Sequence, residues 1–292
     1  MAQVRRLRLD RYASPNDFLA TAGAYLQARE AEHNLILGIA GTLRDDPGTV
    51  DDAPPLLATV TDGMRVVAAA VRTPPRNLVL SEVDEPAAVE ALADGLAGEE
   101  LPGAVGPPEA VQAFAERWTE RTGDGWEVQL QERIFRLQRV VAPRPTQGIV
   151  RAAAASDRDL VVEWIVAFER EALPEQRLAA QIAKAVDDSL ASARNRIFLW
   201  ENAEPVSLVG VGGATPNGIR IGPVYTPPRF RGRGYASALT ASVSQAMLNE
   251  GRRFCFLYTD LANPTSNKIY QAIGYEPVTD ALMVGFMPPR AA

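Results

Sequence analysis

The stretch from Gly222 to Ser237, Gly-Pro-Val-Tyr-Thr-Pro-Pro-Arg-Phe-Arg-Gly-Arg-Gly-Tyr-Ala-Ser, leaves its backbone few choices. Pro227 and Pro228 stop a strand, since proline offers no ladder N–H. Gly232 and Gly234 permit the angles by which a turn aims its N–H groups inward. A helix is predicted from Tyr235, with Leu239, Val243, Ala246 and Met247 on one face and Gly251 as its stop. Free N–H groups at a helix start, the positive end of its dipole and the nearby Arg229, Arg231 and Arg233 make an anion site suited to a pyrophosphate.

Two familiar phosphate loops do not fit. The Gly-x4-Gly-Lys-Ser/Thr pattern is absent, and the glycine spacing is not the Gly-x-Gly-x-x-Gly that follows a first strand. A net charge of −6 argues against a nucleic-acid binder and is compatible with a cationic partner. The single cysteine, Cys255, forms no internal disulfide, and with one histidine, His33, no Cys- or His-based metal site is expected. Cys255 lies between Phe254 and Phe256 and reads as core; His33 reads as structural. No long apolar run follows Met-Ala-Gln-Val-Arg-Arg, so neither signal peptide nor membrane span is expected and the location reads as cytoplasmic.

Along the chain, residues 1–55 read as helical after a short start, with Ser14-Pro15 as cap and first position, and a break at Asp45-Asp46-Pro47-Gly48. Leu56–Thr61 and Arg65–Val71 form a hairpin, Leu78–Leu80 a strand, Pro86–Leu96 and Pro107–Arg121 helices, and Trp126–Val140 a strand. The segment 141–148, with two prolines and a glycine, reads as a linker between a domain at 1–140 and another at 149–292. The second half runs strand Ile149–Ala153, helices Asp157–Glu171 and Glu175–Ala193, strands Arg196–Glu201, Val206–Thr215 and Gly218–Thr226, helix Tyr235–Glu250, strand Phe254–Tyr258, helix Asn263–Ile273 and strand Glu276–Phe286. The first half follows most of that order, its first strand being the uncertain one, which points to a duplicated plan. The fold class is α/β: two domains in tandem, each a mixed, mostly antiparallel central sheet flanked by helices.

The loop at Arg231-Gly-Arg-Gly234-Tyr-Ala236 resembles the acyl-CoA loop of the GNAT acetyltransferase superfamily, Arg/Gln-x-x-Gly-x-Gly/Ala. A second register, from Arg229, fits the short pattern too; the first places Ala236 in the helix and is preferred. A further stretch resembles the superfamily's Asn-x-x-Ala-x-x-x-Tyr motif and its Gly-Phe/Tyr ending. It matches at Asn263, Tyr270 and Gly274-Tyr275, with Ser266 where alanine is usual. The resemblance covers roughly residues 149–290. The first half has Ser81-Glu-Val-Asp-Glu-Pro86 in place of the loop, whose three carboxylates would repel a pyrophosphate, so it reads as a degenerate GNAT-like domain that completes a substrate cleft or fixes the assembly.

The resemblance implies acetyl-CoA as co-substrate and a small-molecule or protein amine as acceptor, with no nucleic acid or membrane, in a monomer or homodimer. It implies that Arg231, Gly232, Arg233, Gly234, Tyr235 and Ala236 hold the pyrophosphate, and that the backbone of Val224, Tyr225 and Thr226 receives the pantetheine arm. Asn263 would touch that arm and Tyr270 would be the general acid. Candidates for the base are Glu169, Glu171, Glu201, Asp260 and Tyr225, without a choice among them. The reading from another class is a non-catalytic acyl-CoA-binding regulatory module, which would not need Tyr270.

Overall fold

The computed structural model describes residues 7–46, 53–174, 176–192 and 194–288. It divides into two compact units: Met1–Glu132 with Thr279–Ala292, and Arg133–Val278. In the first, strand β1 (Leu7–Arg11) precedes helices α1 (Pro15–Ala28) and α2 (Asn34–Asp45). Strands β2 (Leu56–Asp62), β3 (Arg65–Arg72) and β4 (Leu78–Leu80) follow, then α3 (Pro86–Leu96), β5 (Gly103–Gly106), α4 (Pro108–Thr122) and β6 (Gly125–Leu137). The second half repeats the order with β7 (Ile149–Ala152), α5 (Arg158–Ala172), α6 (Ala179–Ala191), β8 (Arg196–Asn202), β9 (Glu204–Gly212), β10 (Gly218–Tyr225), α7 (Tyr235–Asn249), β11 (Phe254–Asp260), α8 (Pro264–Ala272) and β12 (Glu276–Met287).

Local chemistry accounts for the helix ends. The Ser14 hydroxyl accepts from the N–H groups of Asn16 and Asp17 at 3.2 and 3.5 Å, and Pro15 takes the first position of α1. Asn263 caps α8 by accepting from the Ser266 N–H at 3.1 Å. Strand alternation then decides which face each residue covers. In the first unit Leu57, Ala69 and Val71 pack under α1 and α2, whereas Ala58, Val60, Ala68 and Ala70 pack under α3 and α4. In the second, Leu208 and Tyr225 join α5 and α6, whereas Val209, Val211 and Ile221 join α7. Each sheet is thus covered on both sides, and each fully buried Leu, Val or Phe contributes about 1.5–3 kcal/mol.

The strand order of the first unit is β1-β2-β3-β4-β5-β12, and that of the second β6-β11-β10-β9-β8-β7. Each unit therefore takes one strand from the other half of the chain. Leu282 to Gly285 of β12 pair antiparallel with β5, and Leu282 and Val284 lie in the first unit's core. Phe135 and Leu137 of β6 are fully buried in the core of the second.

One boundary differs from the expected one. The units divide at Glu132/Arg133 and Val278/Thr279, not across a linker at 141–148. That segment is attached within the second unit: the Val141 N–H donates to Ile273 O at 2.9 Å, and Trp200 Nε1 donates to Gln147 O at 2.9 Å. Its prolines remove periodicity without removing packing. Residues 7–11, the short start before the helical run, form β1, paired antiparallel with Ala58–Asp62 of β2, so the first strand of the plan is present. The apolar Ala104-Val105 is the middle of β5, parallel to β4. The break at Pro47-Gly48 and the residues Glu175 and Ala193 lie outside the described residues. Among the described residues no helix is long and apolar enough to cross a membrane.

His33 is buried, and its role is structural. Its Nε2 accepts from the Glu82 N–H at 3.0 Å and its Nδ1 lies 3.0 Å from Leu26 O, which fixes the neutral tautomer protonated at Nδ1. The ring stacks on Tyr25 at 5.5 Å, and the Tyr25 hydroxyl donates to Glu82 O. The stretch that stands where the second half has its glycine loop is thereby tied down by a histidine and a tyrosine.

Two outcomes follow. Burial lowers the His33 pKa below its ordinary value of 6.5, so the unfolded chain binds the proton first. Stability is expected to be intact above about pH 6.5 and to fall as the pH drops below it; His33→Gln should flatten that decline in urea titrations at stepped pH. The fragment 149–292 lacks Phe135 and Leu137, whose burial is worth roughly 5–10 kcal/mol together. It is expected to melt without a cooperative transition in calorimetry.

Candidate functional site

The second unit's site begins where two parallel strands part. β10 and β11 are in register at Gly218–Phe254, Ile219–Cys255 and Arg220–Phe256, and the pairing ends there. β10 keeps its other neighbour to the end, with Val224 opposite Val209 and Tyr225 opposite Leu208, and carries a bulge between Ile221 and Val224. Pro223 has no N–H to give a ladder. Gly222-Pro223 also leans on β9: a Cβ at Gly210 would stand 2.7 Å from Gly222 O and 2.9 Å from Pro223 Cδ. From Gly222 to Tyr225 one edge of β10 thus has no strand partner among the described residues, which leaves alternate main-chain groups on that side without ladder bonds.

Below this opening the chain makes a short 3-10 turn at Pro228–Phe230, then passes Gly232 and Gly234 with φ of +78° and +82°. Gly234 is the N-cap of α7, and no side chain hydrogen-bonds there. The first N–H groups of a fifteen-residue helix are left uncapped by side chains, with the positive end of its dipole beside them. The Thr146 hydroxyl stands against the loop, 2.8 Å from where a Cβ at Gly234 would be. No local pattern marks this neighbour, because Thr146 lies in the proline-rich segment and is distant along the chain.

The loop's arginines differ in their engagements. Arg229 lies over the Phe230 ring at 4.6 Å and pairs with Glu204 at 3.4 Å. Arg231 donates through Nε to Thr226 O at 2.9 Å and through Nη2 to Glu171 at 2.5 Å. Arg233 is exposed and has no side-chain partner among the described residues. Tyr235 turns inward, its hydroxyl accepting from Asn202 Nδ2 at 2.9 Å, so only its backbone faces the loop's mouth. Ala236 is half-buried on the next helical position.

Tyr270 is buried in α8, edge-on to Tyr275 at 6.0 Å. Burial holds its phenol well above the ordinary value, so it stays protonated near neutral pH. Its hydroxyl has no hydrogen-bond partner among the described residues. The Asn263 side chain is exposed and committed to the helix cap. Cys255 is buried, its thiol pushed up to about 12 by desolvation, which suits core and not a nucleophile.

The candidate bases separate by their partners. Glu169 is buried against Arg177, accepting from its backbone N–H at 3.0 Å and its Nε at 2.7 Å. Glu201 is paired with Arg151, and Asp260 closes a turn by accepting from the Ala262 N–H at 2.8 Å. Glu171, half-exposed at the end of α5, touches Arg231 and also accepts from the Tyr225 hydroxyl at 3.2 Å. Tyr225 is itself buried beside Trp164, and desolvation, with Glu171 next, raises its pKa. Of these carboxylates, Glu171 is the one in contact with both β10 and the loop.

Gly234→Ala forces a side-chain residue to a φ of +82°, at about 1–2 kcal/mol. The Thr146 hydroxyl can rotate away and adds little. A urea midpoint lowered by that amount at unchanged slope is the expected result.

The family model described as FR47-like protein matches residues 207–284, which run from β9 into β12 and include both motifs. No curated protein matches the chain at the level of sequence. Solved structures resemble it along nearly its whole length. A Drosophila protein is 14% identical with a TM-score of 0.69, covering 98% of this chain and 100% of its own. A GCN5-related N-acetyltransferase from Sphaerobacter thermophilus is 16% identical with a TM-score of 0.61, covering 96% of each chain. A tandem GNAT protein from the clavulanic acid biosynthesis pathway is 13% identical with a TM-score of 0.59, covering 98% of this chain and 100% of its own. With its repeated element order and its parted parallel strands, the chain has the fold of these GNAT structures, in two such units in tandem.

Proposed function

We propose that the second unit is an acetyl-CoA-dependent N-acetyltransferase acting on a primary amine of a small molecule or protein, by direct attack in a ternary complex. The observation that carries this reading is the sequence of features along one short path. An open strand edge at Gly222–Tyr225 leads to a glycine turn and an uncapped helix start. An extended amide-bearing arm ending in a pyrophosphate has that order of needs: main-chain partners first, anion donors second.

The residues present fit such a molecule. Nothing lies within 4 Å of a Cβ position at Gly232, so the turn is open above its backbone, and Arg233 is available to a phosphate. The co-substrate would supply an acyl group already activated as a thioester. Main-chain N–H groups on the free edge of β10, among Val224, Tyr225 and Thr226, would polarise its carbonyl. The Tyr270 hydroxyl would donate to the departing sulfur. With its proton held tightly by burial, it serves better as a hydrogen-bond donor to developing charge than as an acid that dissociates. The amine must arrive neutral or lose its proton nearby, and Glu171 through Tyr225 is the carboxylate best placed to help.

A non-catalytic acyl-CoA-binding module would share the loop and not require the tyrosine. Tyr270→Phe separates the two. The variant is expected to bind CoA as the wild type does while thiol release with a panel of amines falls by about 100-fold or more. Turnover at the wild-type rate would remove Tyr270 from the chemistry. Absence of thiol release by the wild type across the panel, with CoA bound, would favour the module.

A further inference from the structure

Glu171 occupies a place that helix energetics do not favour. It lies in the last turn of α5, where the dipole's negative end disfavours a carboxylate. Two contacts hold it there: Arg231 Nη2 at 2.5 Å on one carboxylate oxygen and the Tyr225 hydroxyl at 3.2 Å on the other. Arg231 is held in turn by Thr226 O at 2.9 Å and lies 5.8 Å from the Tyr225 ring centre. The guanidinium therefore belongs to the loop by sequence and to α5 by contact, so one cation is shared between the proposed phosphate site and a carboxylate beside the open strand.

We propose that Glu171 is a latch: it holds Arg231 until a phosphate replaces it, and the freed carboxylate then receives the ammonium of the acceptor. The inference rests on the acyl-CoA reading of the loop. The pair is only partly buried, with side-chain exposures of 48% for Arg231 and 38% for Glu171, so it is weak enough to exchange. A pyrophosphate at the start of α7 offers more charge and more acceptor oxygens than one carboxylate, and a guanidinium matches phosphate geometry. After the exchange Glu171 keeps the Tyr225 hydroxyl and loses its cation. A carboxylate left with a neutral donor attracts a new positive charge, which makes a cationic amine the acceptor class. The two ligands then help each other, and the help is reciprocal.

The test is a double-mutant cycle on the full chain, with CoA binding measured by calorimetry on the wild type, Glu171→Gln, Arg231→Gln and the double variant. Glu171→Gln removes the competitor and is expected to tighten CoA binding by about two- to fivefold, the range of a partly exposed ion pair. In the Arg231→Gln background the same substitution should change nothing. In turnover, Glu171→Gln should raise the KM of a cationic amine by more than it lowers kcat, which a merely structural role would not produce. Weaker CoA binding in Glu171→Gln, or an equal change in both backgrounds, would overturn the latch and leave the acyl-CoA reading standing. Failure of the wild type to bind CoA would overturn both.

Discussion

Two parallel strands that hydrogen-bond for three residues and then part leave main-chain groups that something else must satisfy. In the second unit this follows from Gly222-Pro223, a proline without a ladder donor set beside a bulge, with Gly210 on the neighbouring strand making room for it. The roles proposed for the loop, the helix start and the buried tyrosine depend on that separation. Without it, the turn before α7 would be an ordinary strand-to-helix connection. With it, main-chain partners and anion donors lie in the order that the proposed acylated, phosphate-bearing arm would require.

The first unit shows the same plan with the site filled in. Its β4 is short and runs into carboxylate-rich chain in place of a glycine turn. Asp84 pairs with Arg29, Glu85 with Arg65, and the Glu82 N–H is held by His33. Side chains hold down the stretch whose counterpart in the second unit is proposed to hold a ligand. The one histidine of the chain is consumed by this closure, so it is unavailable for acid–base chemistry.

Much of this was legible from the residues. Proline and glycine marked the end of β10 and the start of α7, Asn263-Pro264 marked the start of α8, and two strand-like runs about the Asp62-Gly63 turn marked the hairpin of β2 and β3. These are local rules, decided by neighbours in the chain. What escaped was long-range. Leu7–Arg11 is five residues with only two clearly apolar ones, and it is a strand because β2 offers it a ladder. The segment 141–148 has the composition of a linker, yet Val141, Gln147 and Thr146 each meet residues far along the chain. The exchange of β6 and β12 between the units has no local signature at all. Glu171 was one carboxylate among several candidates until its contacts with Arg231 and Tyr225, each more than fifty residues away, set it apart.

The central claim is that the uncapped start of α7 with its glycine turn is the anion end of an acyl-CoA site. Calorimetric titration of CoA into the wild type and Gly234→Glu tests it most directly, with a thermal melt of the variant to establish that it is folded. Saturable binding in the wild type that disappears in the folded variant, whose added carboxylate would stand in the anion cradle, is the result predicted here. Equal binding by both proteins, or none by the wild type, would contradict the account.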